Sequence, residues 1–251
     1  MIPLRDENPT IRPPIATVAL IALNVAAWVL LQGLGSDRAL LGSICTLGLI
    51  PAELLGSVPP GVWVELGPGA RCQLGDGAWY TLLSSMFLHG GWFHIIGNMW
   101  FLWVFGDNVE DAMGPARYVF FYLICGLVAA AAQIISAPGS VVPMVGASGA
   151  IGGVMGAYAR LYPHSRIHTL IVLGFFFTTA AIPAVFMLGY WFLLQLLGGL
   201  PTLGGSEGGV AFWAHVGGFV AGLALAKPLA RPEYLYQHLA QPRRQRSRHR
   251  L

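Results

Sequence analysis

Charge is what this chain has least of: 14 lysines and arginines and 11 aspartates and glutamates in 251 residues, against 55% hydrophobic residues. A soluble domain of this size could not bury that much apolar surface, so the composition excludes a water-soluble globule and points to a bilayer. Cysteine is scarce too, at three residues, which excludes a disulfide-dense secreted scaffold. There is no His-Glu-x-x-His segment and no pair of aspartates within apolar runs. Zinc-dependent and paired-aspartate hydrolysis inside a membrane are thereby disfavoured. No inverted repeat and no helix-centred carboxylate or arginine is visible either, which counts against an ion-coupled transporter or channel.

Apolar runs are abundant. The first, 15–34, is uncharged and lacks a small-x-small cleavage site, so it reads as a retained helix rather than a removed signal. Further runs at 94–105, 118–135, 145–158, 181–197 and 209–226 give an all-α polytopic membrane protein, a bundle of six transmembrane helices, with seven as the alternative count. The stretch 167–179 is also apolar. Its Gly174-Phe175-Phe176-Phe177-Thr178-Thr179 cluster and Pro183 read as an interfacial segment leading into the fifth helix.

The expected organisation is a short cytoplasmic N-terminus (1–14), a six-helix membrane domain (15–230) with a long external loop at 35–78, and a basic cytoplasmic tail (231–251). With the N-terminus inside, cytoplasmic segments hold all the lysines and arginines except Arg38 and Arg71. That is the direction of the positive-inside rule. The tail Arg243-Arg244-Gln245-Arg246-Ser247-Arg248-His249-Arg250 suits anionic lipid headgroups better than nucleic acid. Cys45 and Cys72 share the external loop, where they can bridge or remain free thiols; Cys125 lies in the third helix.

Polar residues inside apolar runs carry the chemistry. Gly146-Ala147-Ser148-Gly149 opens the fourth helix, and Ala214-His215-Val216-Gly217-Gly218 lies in the sixth. A serine and a histidine are the minimum equipment for nucleophilic hydrolysis. In this topology helices two, four and six run in the same direction. His94 and Asn98 at the start of helix two, Ser148 at the start of helix four, and His215 about two turns, roughly 10 Å, into helix six then share one depth near the outer face. Gly149, Gly152, Gly153 and Gly156 form a stripe that lets the fourth and sixth helices approach closely. Ser148 at a helix start also has unpaired backbone N–H groups beside it, able to stabilise an oxyanion. His94 and Asn98 are candidate side-chain donors to that hole, or else a structural polar clamp. No carboxylate in the apolar runs can orient His215; Glu207, the nearest in sequence, belongs to the interface. The expectation is a Ser148–His215 dyad.

Together these segments resemble the rhomboid family of intramembrane serine proteases: Gly146-Ala147-Ser148-Gly149, Ala214-His215-x-x-Gly218-x-x-x-Gly222, His94-x-x-x-Asn98, Gly106-x-x-x-Glu110-x-x-x-Gly114, and His89 before the second helix. The resemblance implies cleavage of single-span membrane proteins at or near the outer interface, with no metal and no organic cofactor. An inactive rhomboid-like protein that binds or chaperones membrane proteins is the alternative, and oligomeric state is not legible. One residue departs from the pattern. Many members place a large aromatic one turn after the serine, beneath the histidine ring, where this chain has Gly152. The His215 ring then needs another support, with the fifth helix as its source, or sits looser.

The bland readings differ from residue to residue. Asp107, Asn108, Glu110 and Asp111 cluster at a cytoplasmic helix end, where a carboxylate can bond free loop N–H groups, so Glu110 reads as structural. His89 orients lipid or substrate, or simply sits at the interface. Trp63, Trp79, Trp92 and Trp100 read first as interfacial anchors.

Overall fold

The computed structural model describes residues 1–203 and 210–240. Six principal helices make the body: α1 (Ile15–Leu30), α5 (Trp92–Met113), α6 (Pro115–Ser136), α7 (Ser148–Leu161), α8 (Ala184–Gly199) and α9 (Phe212–Leu229). Shorter helices are α2 (Asp37–Leu47), α3 (Pro51–Leu54) and α4 (Thr81–Ser84) in the first long connection, and α10 (Pro232–Leu239) after the last span. Three helical stretches among the described residues are long and apolar enough to cross a membrane: Pro115–Ser136, Ala184–Thr202 and Phe212–Leu229. The helix α5 matches α6 in length at 22 residues but ends in the acidic segment, while α1 and α7 have 16 and 14 residues.

The helix α7 is the hub, buried from Gly149 to Tyr158. Its glycines explain how. A Cβ built on Gly218 would lie 1.9 Å from the Gly149 carbonyl oxygen, and one on Gly222 would lie 1.9 Å from that of Gly153. No side chain fits at either place, so α7 and α9 touch backbone to backbone. In lipid, where apolar surface gains nothing by leaving acyl chains, such close van der Waals packing is what holds helices together.

The all-α expectation is corrected by two sheets. Strands β4 (Arg166–Leu173) and β5 (Phe176–Pro183) form an antiparallel hairpin, and β1 (Ile2–Asp6) pairs antiparallel with β4, giving the order β1-β4-β5. The stretch read as interfacial is therefore mostly strand. Its β-branched and aromatic residues suit a pleated surface. Leu173 pairs with Phe176 across a two-residue loop whose first residue, Gly174, has φ +61°, the backbone that a primed hairpin turn requires. In the long connection β2 (Trp63–Gly67) and β3 (Ala70–Gln73) form a second hairpin. A Cys45–Cys72 disulfide, with Cα atoms 5.3 Å apart, ties it to α2.

The N-terminal segment and α10 are built into the fold. At the end of the bundle carrying the N-terminus, Glu110 of α5 caps α1: its carboxylate accepts hydrogen bonds from the backbone N–H of Ala16 and Thr17 and from the Thr17 hydroxyl, each 2.8 Å long. The neighbouring Asp111 accepts from the N–H groups of Ile11 and Arg12 at 3.1 Å and lies 3.0 Å from Nδ1 of His238 on α10. The far nitrogen of that imidazole lies 2.9 Å from Oδ1 of Asn8. The basic run of the tail and Glu207 lie outside the described residues.

Candidate active site

At the other end of the bundle, Ser148 is the first residue of α7. The loop before it is fixed by a hydrogen bond from the Gly146 N–H to the Ser85 carbonyl, 2.9 Å long. Gly146 adopts φ +132°, and a Cβ there would lie 2.8 Å from Nε2 of His94, so both backbone and space demand glycine. As the start of a helix, the segment presents N–H groups with no intrahelical partner beside the Ser148 hydroxyl.

The close packing of α7 against α9 brings His215 to that hydroxyl: Nε2 is 2.8 Å from Ser148 Oγ. The opposite nitrogen, Nδ1, is 2.8 Å from Oε1 of Gln195 on α8. Gln195 donates its own Nε2–H to the Trp191 carbonyl at 3.2 Å, which turns its oxygen toward the imidazole. An acceptor at Nδ1 places the proton there and leaves a lone pair on Nε2 facing the serine. The Trp191 ring lies 5.8 Å from the His215 ring, centroid to centroid. Support for the imidazole thus comes from the fifth principal helix. Gly152 itself packs on the α9 backbone, where a Cβ would lie 3.1 Å from the His215 carbonyl oxygen.

His94 and Asn98 stand in the facing wall. Nδ1 of His94 accepts a hydrogen bond from the Gly90 N–H at 3.2 Å, so Nε2 carries the proton and points it at the space over Gly146. Asn98 is buried and donates one amide hydrogen back to the His94 carbonyl at 3.0 Å. Ser148, His215, His94, Asn98 and Trp191 all line one cavity of about 990 Å³. Among the described residues no cluster of three His, Cys, Asp or Glu side chains could hold a metal.

His89 is fully buried, which removes both the lipid-orienting and the interfacial reading. The Gln32 side chain clamps its backbone, accepting from its N–H and donating to its carbonyl at 2.8 Å, and its ring meets that of His94 edge-on at 5.2 Å. The tryptophans Trp63, Trp79, Trp92 and Trp100 are all exposed; Trp92 also lines the cavity and Trp100 bonds the Pro3 carbonyl. Gln195 is the residue that sequence reasoning missed. Its signal was available: it is the lone amide in an otherwise apolar helix.

A serine and a histidine in hydrogen-bond contact, beside N–H groups at a helix start, are an arrangement that can carry out nucleophilic hydrolysis within apolar helices. Residues 76–232 match the Rhomboid domain, and the chain belongs to the rhomboid family of membrane proteins. It is similar to rhomboid protease GluP of Bacillus subtilis (strain 168), with 31% identity over 154 residues, covering 61% of this chain and 27% of that protein. It is also similar to the putative rhomboid protease YdcA of the same strain, 30% identical over 97 residues, covering 39% of this chain and 48% of the relative. The mitochondrial presenilin-associated rhomboid-like protein of Mus musculus is 32% identical over 99 residues, covering 39% and 26%. The match thus spans between about a quarter and a half of each of these relatives.

Proposed function

We propose that this chain is an intramembrane serine endopeptidase that cleaves single-span transmembrane proteins near the outer membrane face. The observation that carries this reading is the 2.8 Å contact between His215 Nε2 and Ser148 Oγ at the floor of a cavity that also receives His94 and Asn98. His215 accepts the serine proton as Oγ attacks the scissile carbonyl. The resulting oxyanion is received by the N–H groups at the start of α7, by Nε2–H of His94 and by the second amide hydrogen of Asn98. His215 then passes its proton to the leaving amine, giving an acyl-enzyme and the first product. A water deprotonated by His215 attacks the acyl carbonyl, and collapse of that second intermediate returns the proton to Ser148 and frees the new carboxyl terminus. Gln195 keeps the Nδ1–H tautomer throughout. The roles of metal and cofactor are filled by none.

The same reading takes α1, α5, α6, α7, α8 and α9 as six spans, with residues 15–230 as the membrane domain and both termini cytoplasmic in a bacterial plasma membrane. Its supports are the bias of basic residues and the disulfide in the connection on the Ser148 side. Purified protein in liposomes with a single-span reporter substrate tests it. Ser148→Ala and His215→Ala each lower cleavage on the order of 10⁴-fold or more while preserving the melting profile. Robust cleavage by folded Ser148→Ala would reject the nucleophile.

A further inference from the structure

The tip of the β4–β5 hairpin stands clear of the other described residues. Phe175, Phe176 and Phe177 are 97%, 81% and 69% exposed. In water, three consecutive bare phenylalanines on a hairpin would be an aggregation site. The position of the sheet says what covers them instead.

Strand β1 runs along the flank of α5. Asp6 accepts hydrogen bonds from the Asn108 amide, at 3.0 Å, and from the Tyr158 hydroxyl, while the Pro3 carbonyl accepts the Trp100 indole N–H at 2.6 Å. From Asn108 to Trp100 the helix rises about 12 Å at 1.5 Å per residue; from Asp6 to Pro3 the strand covers about 10 Å. The strand therefore climbs from the acidic end of α5 toward the middle of the bundle. Strand β4, antiparallel beside it, pairs Ile167 with Asp6 and Leu170 with Ile2, then continues past the end of β1. Its tip lies about 23 Å from Arg166 along the strand. Polarity follows the same axis: Arg160, His164 and Arg166 are exposed at the base, and His168, the one titratable residue farther along the hairpin, faces Glu7 at 2.8 Å.

We propose that this hairpin is a lipid anchor, its three phenylalanines immersed among acyl chains in the leaflet on the N-terminal side and Arg160 and Arg166 at the level of the phosphates. A cationic base and an aromatic tip in that order match the section of one leaflet. The lipid-facing surface continues from the hairpin into α8, where Val185 and Phe186 are exposed directly after β5. The outer edges of β1 and β5 set the depth. Unpaired edge groups are costly in the hydrocarbon centre, so the hairpin enters tilted and its tip stays in the outer part of the acyl region. The base of the hairpin is bonded to the start of α8, with Ala184 N–H on the Ser165 carbonyl at 2.8 Å and Val185 N–H on that of Pro163 at 3.1 Å. The anchor thus holds the helix that carries Gln195.

The test uses the full chain in liposomes, on a Cys125→Ala background in which Cys45 and Cys72 are paired with each other. Phe175→Cys is labelled with bimane and compared with Phe120→Cys on α6, facing lipid, and Tyr236→Cys on α10, facing water. The label at 175 should match that at 120, with blue-shifted emission, quenching by doxyl-labelled lipids and loss of quenching by aqueous iodide. Iodide quenching equal to that at 236, without quenching by the lipids, overturns the proposal; it is also the result if a partner protein rather than lipid covers the tip. Phe176→Cys gives an independent reading at the same tip should Phe175→Cys fail to fold.

Discussion

Glu110, buried, and His215, half-buried, are polar groups at opposite ends of an apolar bundle, and their surroundings differ in kind. Around Glu110 the donors are matched: its two carboxylate oxygens take three hydrogen bonds from the start of α1. Next to it, Asp111 joins the N-terminal segment to His238 of the last helix. That end is closed by its own side chains. At the other end, Ser148, His94 and Asn98 border a cavity, beside the first N–H groups of α7, which have no intrahelical partner. Donors that border a cavity are open to a bound group, whereas those around Glu110 are consumed in holding α1 to α5.

The largest effect that would test this contrast is on stability. Glu110→Ala strands buried N–H groups at the start of α1, and should cost on the order of 3 kcal/mol. The thermal midpoint in detergent falls, and turnover per folded molecule stays near wild type; a selective loss of turnover would place Glu110 in the chemistry. Asn98→Ala should do the reverse, lowering turnover on the order of a hundredfold, about 2.7 kcal/mol in the barrier, with substrate affinity and melting little changed. If melting falls and turnover follows only the folded fraction, Asn98 is a clamp like Glu110. Redundancy with His94 is checked in the double variant. The smallest effect expected is at Gln195: removing the Nδ1 acceptor in Gln195→Ala should lower turnover roughly tenfold, about 1.4 kcal/mol, by freeing the ring and its tautomer. Gln195→Glu, which keeps an acceptor at that place, should recover most of it. Equal turnover in all three proteins would make Gln195 a bystander.

Much of this contrast was legible in the chain. Glycine spacing and a common helix direction put Ser148, His215, His94 and Asn98 at one depth, and close approach of two helices needs little more than a stripe of hydrogen side chains. Glu110 read as a carboxylate for free N–H groups, though the helix it caps is remote in sequence, and nothing local names α1. The hairpin was missed for a different reason. The stretch 167–183 is mostly apolar, and such a run looks alike as buried helix, interfacial segment or strand. Its pairing with Ile2–Asp6 is non-local, so the sheet emerges only in three dimensions. Gln195 was not legible as a partner because a carboxylate or an aromatic is the expected partner of a histidine like His215, and here an amide oxygen serves.

The central claim is that Ser148 is an activated nucleophile, and its most direct measurement is covalent. A fluorophosphonate probe applied to the intact protein in liposomes, followed by peptide mass spectrometry, should place the adduct on Ser148, and His215→Ala should lose that adduct while remaining folded. Labelling that is absent from folded wild-type protein, or that persists undiminished in His215→Ala, would contradict it.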